Sequence, residues 1–277
     1  MADSFDKRVT PARLDLAASF LKDKVQAERY ADGQAFISTR GHTPLRACPE
    51  SYAAQETELL FGELFTVYEQ KDGWAWGQIA SDGYVGYLHA LTLEAPVIAT
   101  HRVSVPATPV LVRCDAKAAS LQLLPMNAQV RVERVIGDFC ETNAGFVFTK
   151  HLVPLGSHES DFTAVAERFV GAPYVWGGKT FAGLDCSGLV QTSLAACGVS
   201  APRDTDMMER ALGTPVAIAD ARRGDLVFWK GHMGIVLDGA RFLHANAFHM
   251  QVTLEPLAEA LARNEKFCGP LTSVKRL

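Results

Sequence analysis

Hydrophobic and polar positions change their period along the chain. In residues 11–29, Leu14, Phe20, Leu21 and Val25 make an apolar stripe between charges, and Pro11 suits a first helical turn, so a helix is predicted. From Gly33 to Leu93 the pattern shifts to short alternating segments cut by turns at Gly41, Pro44, Gly62, Lys71-Asp72-Gly73 and Asp82-Gly83. Phe61 to Tyr68 and Trp74 to Ile79 read as two strands around an Asp-Gly turn, with Tyr84 to Leu88 as a third. Short strands at this spacing suggest a small β-barrel. Residues 96–155 repeat the style in Pro96 to Leu111, Gln129 to Val135 and Gly145 to Phe148. The aromatic and glycine pattern of Gly83 to His89 returns in Asn143 to Phe148, a weak internal repeat that suggests a second small β-domain.

Beyond the short polar stretch Pro154 to Ser160 the pattern becomes α+β. Phe162, Val165, Phe169 and Val170 mark a helix stopped by Gly171 and Pro173. Leu189, Val190, Leu194 and Cys197 mark a second, ended by Gly198, and Asp204 to Leu212 a short third, ended by Gly213. Strands are predicted at Asp225 to Trp229, Met233 to Leu237 and Arg241 to Ala245. Glu255-Pro256 opens a last helix, with Pro256 in its first position. The expected layout is an N-terminal helix plus barrel over 1–95, a second barrel over 96–155 and an α+β domain over 156–277.

Composition narrows the class. Of 277 residues, 48% are hydrophobic and 21% charged, which suits globular domains and not disorder. Twenty-seven basic against 31 acidic residues give a net charge of −4, which argues against a nucleic-acid surface. No apolar run reaches the ~18 residues of a membrane span. The charges at Asp3, Asp6, Lys7, Arg8, Arg13, Asp15, Lys22 and Asp23 leave no secretory apolar run, so no signal peptide is expected. The six cysteines are scattered without a CxxC, which disfavours a disulfide framework or a structural zinc. A soluble protein of a reducing compartment, the cytoplasm, is expected; its oligomeric state is not readable.

Candidate chemistry centres on Asp185-Cys186-Ser187-Gly188. Cys186 falls at a helix N-terminus, where unpaired N–H groups and the helix dipole favour thiolate, the nucleophile of cysteine peptidases. The other reading is a small buried cysteine. His232 opens one predicted strand and His244 lies in the next. A two-residue loop, Asp238-Gly239, would pair Met233 with His244 and put the two histidines on opposite faces. A three-residue loop, Asp238-Gly239-Ala240, pairs Leu237 with Arg241 and sets them diagonally on one face. A joint role requires the longer loop. His232 would then take the thiol proton, forming an ion pair with Cys186, and later protonate the leaving amine, with His244 holding its second nitrogen. His249 competes with His244 in principle, and a zinc site of Cys186, His232 and His244 lacks close ligand spacing. Tyr174, in Pro173-Tyr174-Val175-Trp176-Gly177-Gly178, would place its hydroxyl by the reacting carbonyl or simply fill a core, and the Cys186 N–H would serve as an oxyanion donor. Trp74, Trp76 and Trp229 read as core or barrel wall.

Taken together, Pro173 to Gly178, Leu184-Asp185-Cys186-Ser187-Gly188-Leu189-Val190-Gln191, Arg223-Gly224-Asp225-Leu226-Val227-Phe228 and His232-Met233-Gly234-Ile235 resemble the NlpC-type bacterial cell-wall cysteine peptidases. The likeness covers residues 161–268, and the order Cys, His, His matches. It implies a minimal papain-like fold. The N-terminal barrels resemble bacterial SH3-like domains. That arrangement is similar to the recycling endopeptidases that cut between γ-D-glutamate and the diamino acid of murein peptides with a free N-terminal L-alanine. The resemblance implies a pocket of Tyr174, Asp185, Ser187, Asp204 and Thr205, with Thr205 where the family often has serine. Glu56 and Tyr84 match barrel positions that help bind the ligand. A buried ammonium needs a carboxylate partner, for which Asp185, Asp204 and Glu56 are candidates. Asp204 or Thr205 would alternatively cap the third helix. Arg203 would salt-bridge an acidic group, of substrate or protein, and is left outside the site.

The expected function is therefore a cytoplasmic cysteine endopeptidase acting on murein-derived peptides, with no cofactor and no metal. Two alternatives stand beside it: a wall-binding scaffold of SH3-like domains, and an amidase or acyltransferase on the same fold.

Overall fold

The apolar stripe of residues 11–29 does not become a helix. The computed structural model describes residues 5–277, leaving 1–4 of the first expected domain outside the described residues. Leu16–Ala18 forms a strand paired in parallel with Arg29–Ala31, and the connection between them opens with a 3-10 turn at Ser19–Leu21. Leu16, Ala17 and Ala18 are buried in succession, whereas Leu14 and Phe20 of the supposed stripe are 88% and 61% exposed. Three consecutive buried positions suit a strand covered on both faces and not one stripe of a surface helix. Arg13 and Arg29 both pair with Glu69, and these tertiary contacts override the local pattern.

The chain divides into two units, Met1–Gly156 and Ser157–Leu277. In the first, a seven-stranded sheet runs in the order Gln55–Leu60, His42–Arg46, Val85–His89, Trp74–Ile79, Leu64–Lys71, Gln34–Ser38, Leu93–Glu94. The predicted Asp-Gly hairpin is present: Lys71 pairs with Trp74, and Asp72 and Gly73 both have positive φ, 51° and 80°. Leu45, Leu59, Phe65, Ile79, Tyr84 and Leu88 fill its core. A five-stranded sheet, with Ser120–Pro125, Ala107–Leu111, Gly145–Phe148, Phe139–Thr142 and Val132–Ile136 in order, and a three-stranded sheet around His101–Val103 make up the rest of the unit. The predicted strand from Pro96 to Leu111 is broken into His101–Val103 and Ala107–Leu111. Ser120–Pro125 and Phe139–Thr142 are strands that the pattern did not single out. Phe61, which follows the strand Gln55–Leu60, packs in a second hydrophobic cluster with Val103, Leu124 and Val147.

The second unit pairs four helices with a six-stranded antiparallel sheet, ordered Thr214–Pro215, Ser273–Arg276, Leu226–Trp229, His232–Val236, Arg241–Asn246, Gln251–Pro256. The helices are α1 (Phe162–Glu167), α2 (Cys186–Ala196), α3 (Thr205–Ala211) and α4 (Leu257–Cys268). Helix α1 ends well before Val170, which is exposed. Helix α4 begins at Leu257; Pro256 caps it from outside and ends the strand Gln251–Pro256, which the sequence reading had missed. Helix α2 is buried at every residue but Ala195, so it shows no outward polar face. Its polar side chains bond within the core: Thr192 Oγ1 donates to Lys179 O at 2.7 Å, and Ser193 Oγ to Leu189 O at 2.7 Å. Among the described residues, no helix is long and apolar enough to cross a membrane.

Candidate active site

Asp185 determines where α2 begins. As its N-cap, Asp185 Oδ1 accepts from the Gly188 N–H at 2.7 Å, which fixes Cys186 as the first residue of the helix. Gly188 is required by close approach: a Cβ there would lie 2.0 Å from the carbonyl oxygen of Gly178. Asp185 Oδ2 accepts from the Gly177 N–H at 2.8 Å, so the same carboxylate holds the glycine loop against the helix start.

Arg203 completes this anchor. It is almost fully buried and donates to Asp185 Oδ1 at 3.0 Å and Oδ2 at 2.7 Å, to Ser187 Oγ at 2.8 Å and to the Gly178 carbonyl at 3.3 Å. Asp185 is one of three candidate partners for a substrate ammonium, with Asp204 and Glu56. Its two oxygens are engaged by Arg203, Ser187 and the backbone N–H groups of Gly177 and Gly188. The Ser187 hydroxyl is likewise tied to Asp185 and Arg203.

Around the thiol, Thr205 Oγ1 lies 3.7 Å from Cys186 Sγ and the backbone N–H of Met233 is directed at the sulfur. The Met233 contact brings the His232 strand against the thiol. Burial pushes the Cys186 thiol up to about 11, the Asp185 charge adds to this, and the Thr205, Met233 and Arg203 contacts act against it. Helix position alone predicted a thiolate; desolvation outweighs it here. Tyr174 is half-buried beside the loop, its N–H donating to Met250 O at 2.9 Å. Burial first, then the charges of Cys186 and Asp185, raise its phenol well above the ordinary value, so it remains an O–H donor. Asp204 is the N-cap of α3 but makes no side-chain capping bond, and Thr205 turns its hydroxyl towards sulfur.

The two histidines meet as the longer loop requires. Val236 pairs with Phe242, and the Leu237 N–H donates to Arg241 O at 2.9 Å, giving the three-residue turn Asp238-Gly239-Ala240. His232 and His244 are then diagonal on one face, with His232 Nε2 2.8 Å from His244 Nδ1. Gly234 makes room for this: a Cβ there would lie 2.4 Å from Phe242 Cζ and 2.7 Å from His244 Cβ. Burial pushes His232 down to about 3, helped by His244 and Arg263, and burial also lowers His244. Both imidazoles are neutral at pH 7. His249 is turned away to Asn246, its ring Nδ1 3.1 Å from Asn246 Oδ1. Sequence reasoning missed Glu255, whose Oε1 lies 2.6 Å from His244 Nε2, because it placed Glu255 at a helix start and not on a strand.

Glu56 and Tyr84 belong to the N-terminal unit. Both line a cavity of about 830 Å³ there, together with Trp76 and Tyr87, and Tyr84 is part of the first hydrophobic core. Among the described residues no group of three or more His, Cys, Asp or Glu is placed to hold a metal ion.

A buried thiol at a helix start, beside a strand whose first residue is a neutral histidine backed by a second, defines a thiol hydrolase. The comparisons agree: residues 171–269 match the NlpC/P60 family and residues 45–93 the bacterial dipeptidyl-peptidase Sh3 domain, so the chain carries an NlpC/P60 cysteine peptidase domain and a bacterial SH3 domain. Among curated proteins it is 28% identical over 240 residues to a gamma-D-glutamyl-L-lysine dipeptidyl-peptidase of Bacillus subtilis, covering 76% of this chain and 78% of that one. It is 35% identical over 122 residues to a probable endopeptidase of Mycobacterium tuberculosis, covering 42% of this chain and 29% of that one. An NlpC/P60 family protein of Bacillus cereus shares the fold, with a TM-score of 0.74 at 17% identity over 88% of this chain and 99% of that one.

Proposed function

We propose that the protein hydrolyses the γ-D-glutamyl–diamino acid bond of murein peptides that begin with a free L-alanine. The reading is carried by the 2.8 Å contact between His232 and His244 on the strand face beside Cys186. It is supported by the 28% identity to a gamma-D-glutamyl-L-lysine dipeptidyl-peptidase. The second β layer is taken as another SH3-like barrel, and the helix-first α+β unit as papain-like.

The chemistry follows from the resting protonation states. The Cys186 thiol passes its proton to His232 as sulfur attacks the γ-carbonyl carbon of D-glutamate. His244 holds His232 through its second nitrogen. The Cys186 N–H at the helix start and the Tyr174 phenol face the developing oxyanion. His232 gives its proton to the departing amine, the C–N bond breaks and a thioester remains. Water then attacks the thioester, losing a proton to His232; the C–S bond breaks, the L-Ala-D-Glu acid leaves, and His232 returns the proton to sulfur, restoring the thiol.

Asp204 and Thr205 at the α3 start are assigned to the peptide, with Tyr174 and Ser187. Asp185 is assigned to them through its hold on the loop. Glu56 and Tyr84 stay candidates for ligand binding within the N-terminal unit, on the family resemblance alone. The free thiols at Cys48, Cys114, Cys140, Cys186, Cys197 and Cys268 suit a cytoplasmic setting and recycled fragments as substrate; cell fractionation tests this. Incubation with L-Ala-γ-D-Glu-diaminopimelate should release the diamino acid, and Cys186→Ala should abolish release. Intact tripeptide after incubation with pure wild-type protein rejects the reading.

A further inference from the structure

Three neighbouring strands each place one polar side chain on a single line. His232 lies on the first. His244 lies on the second, directly opposite Thr253 of the third. Glu255, two residues beyond Thr253, is diagonal to His244 in the opposite sense from His232. The line runs His232 Nε2 to His244 Nδ1 at 2.8 Å, then His244 Nε2 to Glu255 Oε1 at 2.6 Å, and ends on Arg263 of α4, which donates to the same carboxylate oxygen. His244 is fully buried and Glu255 nearly so.

Proton positions along this line are not free to vary. Burial acts to raise the Glu255 carboxyl, but the hydrogen bonds from His244 and Arg263 prevail and hold it at about 2, so Glu255 only accepts. His244 must therefore carry its proton on Nε2. Being neutral, it has a bare Nδ1, which accepts from the His232 Nε2–H. The lone pair of neutral His232 is left on Nδ1. The charged and titratable groups acting on the pair are Glu255 of the sheet, Arg263 of α4 and His249 of the loop after the His244 strand.

We propose that Glu255 is a positioning residue: its carboxylate sets the tautomers of both histidines and so presents the His232 Nδ1 lone pair as the base for the thiol. This rests on the catalytic roles proposed above for Cys186, His232 and His244. It adds a fourth and a fifth side chain, Glu255 and Arg263, that never touch the peptide.

The full chain carrying Glu255→Gln or Glu255→Ala tests it, with thermal melts to show that each folds. The isosteric Gln variant keeps the shape if Ala unsettles the core. On the tripeptide, kcat should fall at least on the order of tenfold for Gln and more for Ala, with KM within about threefold. Nitrogen-15 NMR of labelled histidines should show His232 and His244 as single Nε2–H tautomers in the wild type and as mixtures in Glu255→Ala. A wild-type His244 protonated on Nδ1 overturns the proposal. So do variants that both keep wild-type kcat, or a Glu255→Ala loss of kcat with tautomers unchanged. If wild-type protein leaves the tripeptide intact, the peptidase reading fails separately, and the tautomer measurement still decides the role of Glu255.

Discussion

Arg203 donates to both carboxylate oxygens of Asp185, at 3.0 Å and 2.7 Å, while only 1% of its side chain is exposed. A buried ion pair of this kind adds little over a well-packed apolar pair, but removing one partner leaves the other charge stranded. Arg203→Ala should therefore cost about 3–5 kcal/mol, measured by urea unfolding. Arg203→Lys, which cannot match the two-pronged geometry, should recover only part of that. A loss below about 1 kcal/mol, the scale of a surface pair, would contradict the anchoring role.

The thiol itself offers a direct readout. Cys186 is pushed up to about 11, chiefly by burial, so the resting protein holds thiol and neutral imidazole and not an ion pair. Alkylation of Cys186 by iodoacetamide, followed by peptide mass spectrometry, should keep rising from pH 6 to pH 9 without a plateau. A flat rate across that range would mean a preformed thiolate.

Thr205 Oγ1, 3.7 Å from Cys186 Sγ, favours the charged sulfur. Thr205→Val should raise the thiol further and slow alkylation at pH 8 severalfold. Thr205→Ser should behave as wild type.

Acid should weaken the second unit through its histidines. His232 and His244 are both lowered from 6.5 by burial. Below the unfolded value the unfolded chain therefore binds more protons, and stability falls as pH drops from about 6.5. Each contributes on the order of 1 kcal/mol per pH unit until its folded value is reached. Comparing wild type with His232→Asn between pH 7 and pH 5 isolates the site from His151, which is lowered by burial, and from His42, which its Glu58 hydrogen bond raises. The wild-type midpoint in urea should fall more steeply than that of the variant; parallel slopes would refute this.

Gly234→Ala should unseat His244, because the new methyl would meet Phe242 and His244 Cβ well inside contact distance. Overpacking of this sort costs about 1–3 kcal/mol, and kcat should fall with it. Gly239→Ala in the neighbouring turn, where a Cβ meets nothing within 4 Å, serves as the control.

Local chemistry was legible where it depended on short-range pattern. The Asp72-Gly73 hairpin follows from residues that tolerate positive φ, and parity together with a joint role for His232 and His244 required the three-residue turn that brings them together. The stripe of residues 11–29 misled because Leu16–Ala18 is buried by a partner strand and Arg13 is held by Glu69, contacts with no signature in the local sequence. Glu255 was hidden for the same reason: Gln251–Pro256 is a strand only because Arg241–Asn246 pairs with it. Arg203 was named but not placed, since its partner Asp185 lies 18 positions earlier in the chain.

Synthesis runs from Cys186 towards His232, His244 and Glu255, one residue on each of three strands that must pair in register. A slip of one residue in any strand turns its group to the opposite face. The growing polypeptide thus presents the Cys186 thiol before the strands that seat His232, His244 and Glu255 have been made. On the roles proposed above, thiol and base come together only once these strands have paired.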